Sequence, residues 1–204
     1  MTQRDIRAKN NYYIHGFNNS LGSASVMAAS VNDFIDFSLW NESNQVVFPG
    51  RLHVPAEFAQ NPTAERPLIL FLHGAGEAGT DNLKQINGNI DNLLSGAKQR
   101  GAFLYAPQNI GSFANSFAID PTLTMIDRAI ADFHVDPRRI YITGLSQGGG
   151  DVYYLVDQNP ERFAAAVPIA GGFPFPAFMA AHLAGEPLWA FHRRVMPMDR
   201  RNCT

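Results

Sequence analysis

Between Pro67 and Gly172 the sequence alternates short apolar runs with longer amphipathic stretches, and this alternation limits the possible folds more than any other feature. The first run, PLILFLHG, is uniformly apolar, which is typical of a central strand covered by helices on both faces. The runs that we predict to be strands are PLILFLHG, AFLYAP, RIYITGLS, FAAAVPIAG and PLWAFH. Helical patterns separate most of them, so the sequence predicts an α/β fold with a mostly parallel central sheet and right-handed crossovers.

Three of the intervening stretches are predicted to be helices that cover the sheet. Asp81 is placed to cap a helix running through DNLKQINGNIDNLLSGAKQR. Asp120 and Pro121 supply an N-cap and a first-turn proline for TLTMIDRAIADF. The third predicted helix, QGGGDVYYLVDQ, directly follows the strand RIYITGLS. A further helix is predicted around His182, after GGFPFPAFMA.

The N-terminal part of the chain has a different pattern. Residues 1–33 are rich in small and amide residues without sustained periodicity, and we expect an irregular leader there. The runs FIDFSLW and VVFPGRLHVP alternate in polarity and flank the polar turn NESNQ, so they predict antiparallel strands at one edge of the sheet. Residues 34–204 are predicted to form one domain, because no linker divides them.

The composition restricts the possible partners and locations. A hydrophobic content of 46% and a net charge of −2 favour a globular domain over disorder, and give no basic surface for nucleic acid or an anionic membrane. The only cysteine is Cys203, so no internal disulfide is expected. The N-terminal region has no apolar run of the secretory type, and no apolar stretch approaches the length of a membrane span. We therefore expect a soluble protein, with a cytoplasmic location favoured.

The segment RIYITGLSQGGGDVYY contains the motif that indicates chemistry. Gly144, Ser146 and Gly148 form G-x-S-x-G between a predicted strand and a predicted helix. In a nucleophile elbow, glycines on both sides of the serine allow a strained turn that projects its Oγ from the C-terminal edge of the sheet. A passive serine in a glycine-rich turn is the alternative, and the strand and helix on either side favour the nucleophile.

A loop of the His-Gly type follows the central strand and reads HGAGEAGTDN. Such a loop donates a backbone N–H to the oxyanion that develops in acyl transfer. We predict that the amides of Ala75 and Gln147 form this oxyanion hole. His73 is predicted to orient the loop, while Glu77 and Asp81 fix or cap it.

Four blocks of this sequence resemble the esterase branch of the α/β-hydrolases, which includes polyhydroxybutyrate-depolymerase-like, feruloyl-esterase-like and phospholipase/carboxylesterase-like enzymes. They are LILFLHGAGEAGTDN, VDPRRIYITGLSQGG, ERFAAAVPIAGG and PLWAFH, and the similarity extends over roughly residues 34–192. The resemblance implies a carboxylic ester hydrolase with Ser146 as nucleophile and Ala75 and Gln147 at the oxyanion. It implies no metal and no organic cofactor.

The C-terminal end departs from the pattern that the resemblance implies. In these enzymes an aspartate or glutamate and then a histidine follow the nucleophile, with the acid on the turn after the strand that PLWAFH resembles. The resemblance implies a glycine after His192, where the chain has Arg193. Met196 lies about where the acid is expected, and Asp199 is the only carboxylate after His192. No histidine follows Asp199, and we expect the final strand and helix of the resembling fold to be missing.

The general base must therefore be one of the remaining histidines, belong to another chain, or be absent. Of these histidines, His192 would lie at the correct edge of the sheet, so His192 and Asp199 are the candidate base and acid. The other histidines have structural interpretations, namely His15, His53, His73, His134 and His182.

Two functions remain open at this point. The first is a serine carboxylesterase that acts on small or aryl esters through an acyl-enzyme. The second is a catalytically weak or inactive ligand-binding protein of the same fold, which the missing base favours. A predicted hydrophobic strand at an open sheet edge also suggests a homodimer through Pro187 to His192.

Overall fold

Six strands form the main sheet of this computed structural model, which describes residues 28–172 and 177–192. Their order across the sheet is β1-β4-β6-β5-β7-β8. Two further strands, β2 and β3, form a separate hairpin. The strands are β1 (Ile35–Asp36), β2 (Leu39–Trp40), β3 (Val46–Phe48), β4 (Gly50–His53), β5 (Arg66–Leu72), β6 (Phe103–Pro107), β7 (Val135–Leu145) and β8 (Ala165–Ile169).

The predicted parallel centre of the sheet is confirmed. Strand β5 lies between β6 and β7 and is parallel to both, and β8 is parallel to β7 on the outer side. Helices occupy the connections between these strands, namely α1 (Asp91–Arg100), α2 (Ser116–Phe133) and α3 (Gln147–Gln158), while α4 (Ala177–Leu183) follows β8. The structure contains the first four predicted strands, from PLILFLHG to FAAAVPIAG, and the predicted helix QGGGDVYYLVDQ.

The side chains of β5 alternate between the two faces of the sheet, and both faces are covered. Leu68, Leu70 and Leu72 belong to a hydrophobic cluster shared with residues of α2 and α3. Phe71 points the other way and joins a second cluster with residues of α1, including Leu94. Burial on both faces explains why this strand is uniformly apolar in sequence.

The helix predicted to begin at Asp81 begins ten residues later, at Asp91. Asp81 Oδ1 instead accepts hydrogen bonds from the amides of Leu83 (2.8 Å) and Lys84 (3.0 Å), at the start of a 3-10 turn. Those bonds, with one from Gln108, lower the pKa of Asp81 to about 2. The residue Gly88 has φ 76°, a left-handed conformation that a continuous helix cannot contain. The sequence NGNI (residues 87–90) therefore separates the 3-10 turn from α1.

The helix predicted to begin at Asp120 begins four residues earlier, at Ser116. Asn115 has extended backbone geometry, and its carbonyl oxygen accepts hydrogen bonds from the amides of Ala118 (3.0 Å) and Ile119 (2.8 Å). Pro121 consequently lies inside the second turn rather than in the first. The Asp-Pro pair resembled a helix start because aspartate is common at the N-cap and proline at the first helical position, but the N-cap is Asn115.

The antiparallel strands predicted between Phe34 and Pro55 are confirmed. Strands β2 and β3 flank the NESNQ turn, and β1 and β4 form the edge of the main sheet beside β6. The last residues of the predicted leader are more regular than expected, because Val31–Asp33 form a 3-10 turn capped by Ser30. Residues 1–27 lie outside the described residues.

The predicted strand PLWAFH lies beside β8. Leu188 and Phe191 form parallel bridges with Ala166 and Ile169, and four backbone hydrogen bonds of 2.7–3.0 Å join the two segments. The Trp189 side chain is 70% exposed, and its ring centroid is 4.9 Å from that of Phe191. Association of two copies through this segment stays a prediction.

Within the described ranges, no helix has the length and apolar character needed to cross a membrane.

Candidate active site

Ser146 occupies a strained turn between strand β7 and helix α3. Its backbone has φ 55° and ψ −112°, a conformation that non-glycine residues rarely adopt, and strain of this kind often marks a functional site. Its amide donates to the carbonyl of Ile169 (2.9 Å), and its own carbonyl accepts from Gly150 (3.0 Å). The serine is exposed while Gly148 and Gly149 behind it are buried. This is the geometry of a nucleophile elbow.

The glycines around Ser146 allow the helix to begin against the sheet. A β-carbon on Gly144 would lie 2.4 Å from the carbonyl oxygen of Gly148, and one on Gly149 would lie 2.4 Å from that of Ile169. Either contact is far inside van der Waals distance, so the backbones would have to separate. The G-x-S-x-G-G pattern is therefore required by close packing of strand and helix, as well as by the turn itself.

The His-Gly loop lies directly beside the serine. A β-carbon on Gly74 would be 3.6 Å from the β-carbon of Ser146, and Ala75 begins an exposed 3-10 turn. The Gln147 amide belongs to the first turn of α3, whose N–H groups have no acceptor within the helix. The dipole of α3 adds partial positive charge at that end. The amides of Ala75 and Gln147 thus belong to two segments that border Ser146, and their role in an oxyanion hole stays a prediction.

His73 is buried behind the loop, and both of its ring nitrogens are engaged. Nε2 accepts a hydrogen bond from the Asn109 amide (3.0 Å), which leaves Nδ1 to carry the proton and donate to the carbonyl of Gly74 (2.7 Å). Burial lowers the pKa of His73 and favours this neutral form. In a trans peptide the C=O and N–H point in opposite directions, so holding the Gly74 carbonyl also fixes the direction of the Ala75 N–H. His73 therefore orients the loop and is not available as the base.

Asp151 was not singled out in the sequence, yet it anchors the neighbouring loop. It is fully buried on α3 and accepts from the Ser112 hydroxyl (2.6 Å) and the Phe113 amide (2.7 Å). Burial raises the pKa of Asp151 despite these bonds. Helical spacing from Gly148 places Asp151 on the buried face of α3, so periodicity could have indicated it.

Gln108 is a second positioning residue that sequence reasoning missed. Its side chain is buried, and its amide group donates to the Glu77 carbonyl and to Asp81 Oδ1 (both 3.1 Å). Its Oε1 accepts from the Asn82 amide (2.6 Å). Gln108 and Asn109 thus connect the end of β6 to the loop that carries Ala75.

His192 lies at the same edge of the sheet as Ser146. Leu145 is level with Ile169 in the register of β7 and β8, and Ile169 is level with Phe191. Ser146 follows Leu145 and His192 follows Phe191, so the two residues lie at the same level of the sheet. Two strand spacings separate them, which is about 10 Å between their backbones. Asp199 lies outside the described residues.

Three other histidines of the described part of the chain lie away from Ser146. His134 ends α2 at the opposite edge of the sheet, and His53 lies on β4 at that same edge, with Nδ1 3.0 Å from the Asp33 carbonyl. His182 Nδ1 is 2.9 Å from Asp157, near the far end of α3. The ring nitrogens of His53, His73 and His182 thus have hydrogen-bond partners other than Ser146 Oγ. His15 lies outside the described residues.

Comparison with known proteins agrees with this geometry. Residues 118–194 match the model of the prolyl oligopeptidase family. A crystal structure of a thermostable esterase has a TM-score of 0.70 and 32% identity, with 82% of this chain and 48% of that chain covered. This chain has the α/β-hydrolase fold and is similar to esterases of that fold. The expected fold is confirmed.

Curated relatives include hydrolases of several substrates. The poly(3-hydroxybutyrate) depolymerase of Ralstonia pickettii is 30% identical over 155 residues, which are 68% of this chain and 31% of that protein. The bifunctional acetylxylan esterase/xylanase XynS20E of Neocallimastix patriciarum is 27% identical over 147 residues, which are 69% of this chain and 20% of that protein. The chain thus spans a third or less of the length of these two relatives.

Proposed function

We propose that this chain is a serine carboxylic ester hydrolase that acts on small or aryl esters through an acyl-enzyme on Ser146. The observation that carries the proposal is the elbow, in which an exposed serine with positive φ stands beside the His-Gly loop and the N-terminus of α3. The esterase relatives support the reaction class.

In the proposed reaction Ser146 Oγ attacks the ester carbonyl, a general base accepts the hydroxyl proton, and the alcohol leaves with a proton from that base. Water then hydrolyses the acyl-enzyme by the same route. The amides of Ala75 and Gln147 would stabilise the negative charge on the carbonyl oxygen at each step. His192 is the candidate base and Asp199 the candidate acid.

The experiment compares hydrolysis of p-nitrophenyl acetate by the purified chain and by Ser146→Ala. We expect Ser146→Ala to lose activity by about 10⁴-fold or more, as removal of a catalytic serine does. The exposed Ser116, at the start of α2, provides a control, because Ser116→Ala should leave the rate unchanged. Equal rates in Ser146→Ala and the wild type would refute the proposal.

The second candidate is a ligand-binding protein of this fold with little or no turnover. It is favoured by one observation, that the ring nitrogens of His53, His73 and His182 are engaged by groups other than Ser146 Oγ. It predicts that p-nitrophenyl acetate is hydrolysed no faster by the wild type than by Ser146→Ala, while a non-hydrolysable ester analogue protects Ser146 from chemical modification.

A further inference from the structure

The carboxylate of Glu77 lies close to the nucleophile, at a place that the reaction described above does not use. A β-carbon built on Gly74 would be 3.0 Å from Glu77 Oε2 and 3.6 Å from the β-carbon of Ser146. Both groups therefore border the same small space beside Gly74. The carboxylate charge lies within about 7 Å of the reacting serine, close enough to act on a charged substrate.

Glu77 is held in this position by one of its two oxygens. Oε1 accepts a hydrogen bond of 2.6 Å from the side-chain amide of Asn89. Among the described residues no cation is paired with Glu77, and the nearby Lys84 ammonium instead lies 3.4 Å from Asp81. The negative charge beside Ser146 is thus not neutralised by an ion pair within this part of the chain.

A fixed, partly exposed charge changes the binding of substrates according to their own charge. If a substrate charge lies as far from the Glu77 carboxylate as Ser146 does, about 7 Å, its binding constant changes by roughly 3-fold in a water-like dielectric and by up to roughly 50-fold near a protein surface. The lower part of this range applies to Glu77, because its loop is open to solvent and salt screens it further.

We propose that Glu77 determines the charge preference of the ester site, favouring esters with a cationic group near the ester bond over neutral isosteres and disfavouring anionic ones. This inference rests on the proposed ester hydrolase function and specifies its substrate class. Glu77 acts here on substrate charge, without accepting or donating a proton.

The test measures kcat/KM for three thioesters whose thiol product is detected directly. They are acetylthiocholine, its neutral isostere 3,3-dimethylbutyl thioacetate, and the anionic S-acetyl-3-mercaptopropionate. The variant is Glu77→Gln, which keeps the side-chain shape and an oxygen that accepts from Asn89 but removes the charge. We expect the cationic-to-neutral ratio to fall by about 3- to 10-fold and the anionic-to-neutral ratio to rise.

Two control variants separate charge from structure. Asn89→Ala removes the hydrogen bond to Glu77 but keeps the charge, so the cationic preference should persist. Glu161→Gln removes an exposed carboxylate from the turn between α3 and β8, at the opposite edge of the sheet, and should not change the ratios. Thermal unfolding of each variant reports its folding.

Phosphonylation of Ser146 gives the same comparison without turnover. The labelling rate is measured with a phosphonate that has a choline leaving group and with the neutral isostere of that phosphonate. If the wild type is labelled and the ratio of the two labelling rates is the same in Glu77→Gln, the inference about Glu77 is overturned while the proposed function is not. An equal loss for all three thioesters would also overturn it, because that result indicates a structural or chemical role. If neither reagent labels the wild type and no thioester is hydrolysed, the proposed function fails, and this inference fails with it.

Discussion

A β-carbon on Gly148 would lie 2.2 Å from the carbonyl oxygen of Leu72, so helix α3 meets the end of strand β5 at backbone distance. Gly148→Ala must therefore push α3 away from the sheet. We expect a loss of about 2 kcal/mol or more in the free energy of unfolding, seen as a fall of about 4 °C or more in Tm. Gly185→Ala is the matched control, because a β-carbon there meets no atom within 4 Å. Equal Tm values for the two variants would contradict the packing described.

His73 tests the link between the buried side chain and the Ala75 amide. His73→Asn can still donate to the Gly74 carbonyl from the position of Nδ1, whereas His73→Gln can only replace the Nε2 side that faces Asn109. Because the loss of an oxyanion donor costs about 10²- to 10³-fold in kcat, we expect His73→Gln to lose that much kcat and His73→Asn clearly less, with KM changed little in both. The reverse order would show that the Gly74 bond does not control the loop.

The pKa of His73 also predicts a pH dependence of stability. Because burial lowers this pKa, the folded protein binds the proton more weakly than the unfolded chain does. The stability associated with neutral His73 is present at neutral pH and is lost as the pH falls through about 6.5, the ordinary value for histidine. Urea unfolding between pH 7.5 and 5 should show a smaller loss in His73→Asn than in the wild type. Parallel pH profiles would count against this assignment.

The contribution of Asp151 to stability should have the opposite pH dependence. Burial raises its pKa, so the folded protein binds this proton more tightly than the unfolded chain, and the contribution to stability falls as the pH rises from about 4 towards the raised value. Asp151→Asn replaces one of the two oxygens that accept from Ser112 and Phe113 by an NH2 donor and should cost about 1 to 3 kcal/mol. We expect this cost, measured by urea unfolding, to be larger at pH 4 than at pH 7. A cost that grows with pH would contradict the inferred shift.

Chelation addresses the expectation that ester hydrolysis needs no metal. Within the described residues, no group of three or more histidine, cysteine, aspartate or glutamate side chains is arranged to hold an ion. Treatment with EDTA should leave the rate unchanged. A loss that added zinc restores would show that the expectation is wrong.

The central strands could be predicted because burial on both faces makes them apolar throughout, as in Leu68–Leu72. The elbow could be predicted because close packing around Ser146 requires its glycines. The starts of α1 and α2 could not, because they depend on the left-handed Gly88 and on Asn115 rather than on the better-known Asp-Pro signal. The support of the His-Gly loop was also missed. The Gln108 side chain donates hydrogen bonds to Glu77 and Asp81, which are 31 and 27 residues away in the sequence, and no local pattern predicts such contacts.

The central claim is that Ser146 is the nucleophile, and mass spectrometry of the chain after reaction with a fluorophosphonate tests it most directly. We expect one adduct per chain, located by peptide mapping on Ser146, and no adduct in Ser146→Ala under the same conditions. Ser116→Ala should be labelled like the wild type. An adduct on another residue, or labelling that persists unchanged in Ser146→Ala, would contradict the account.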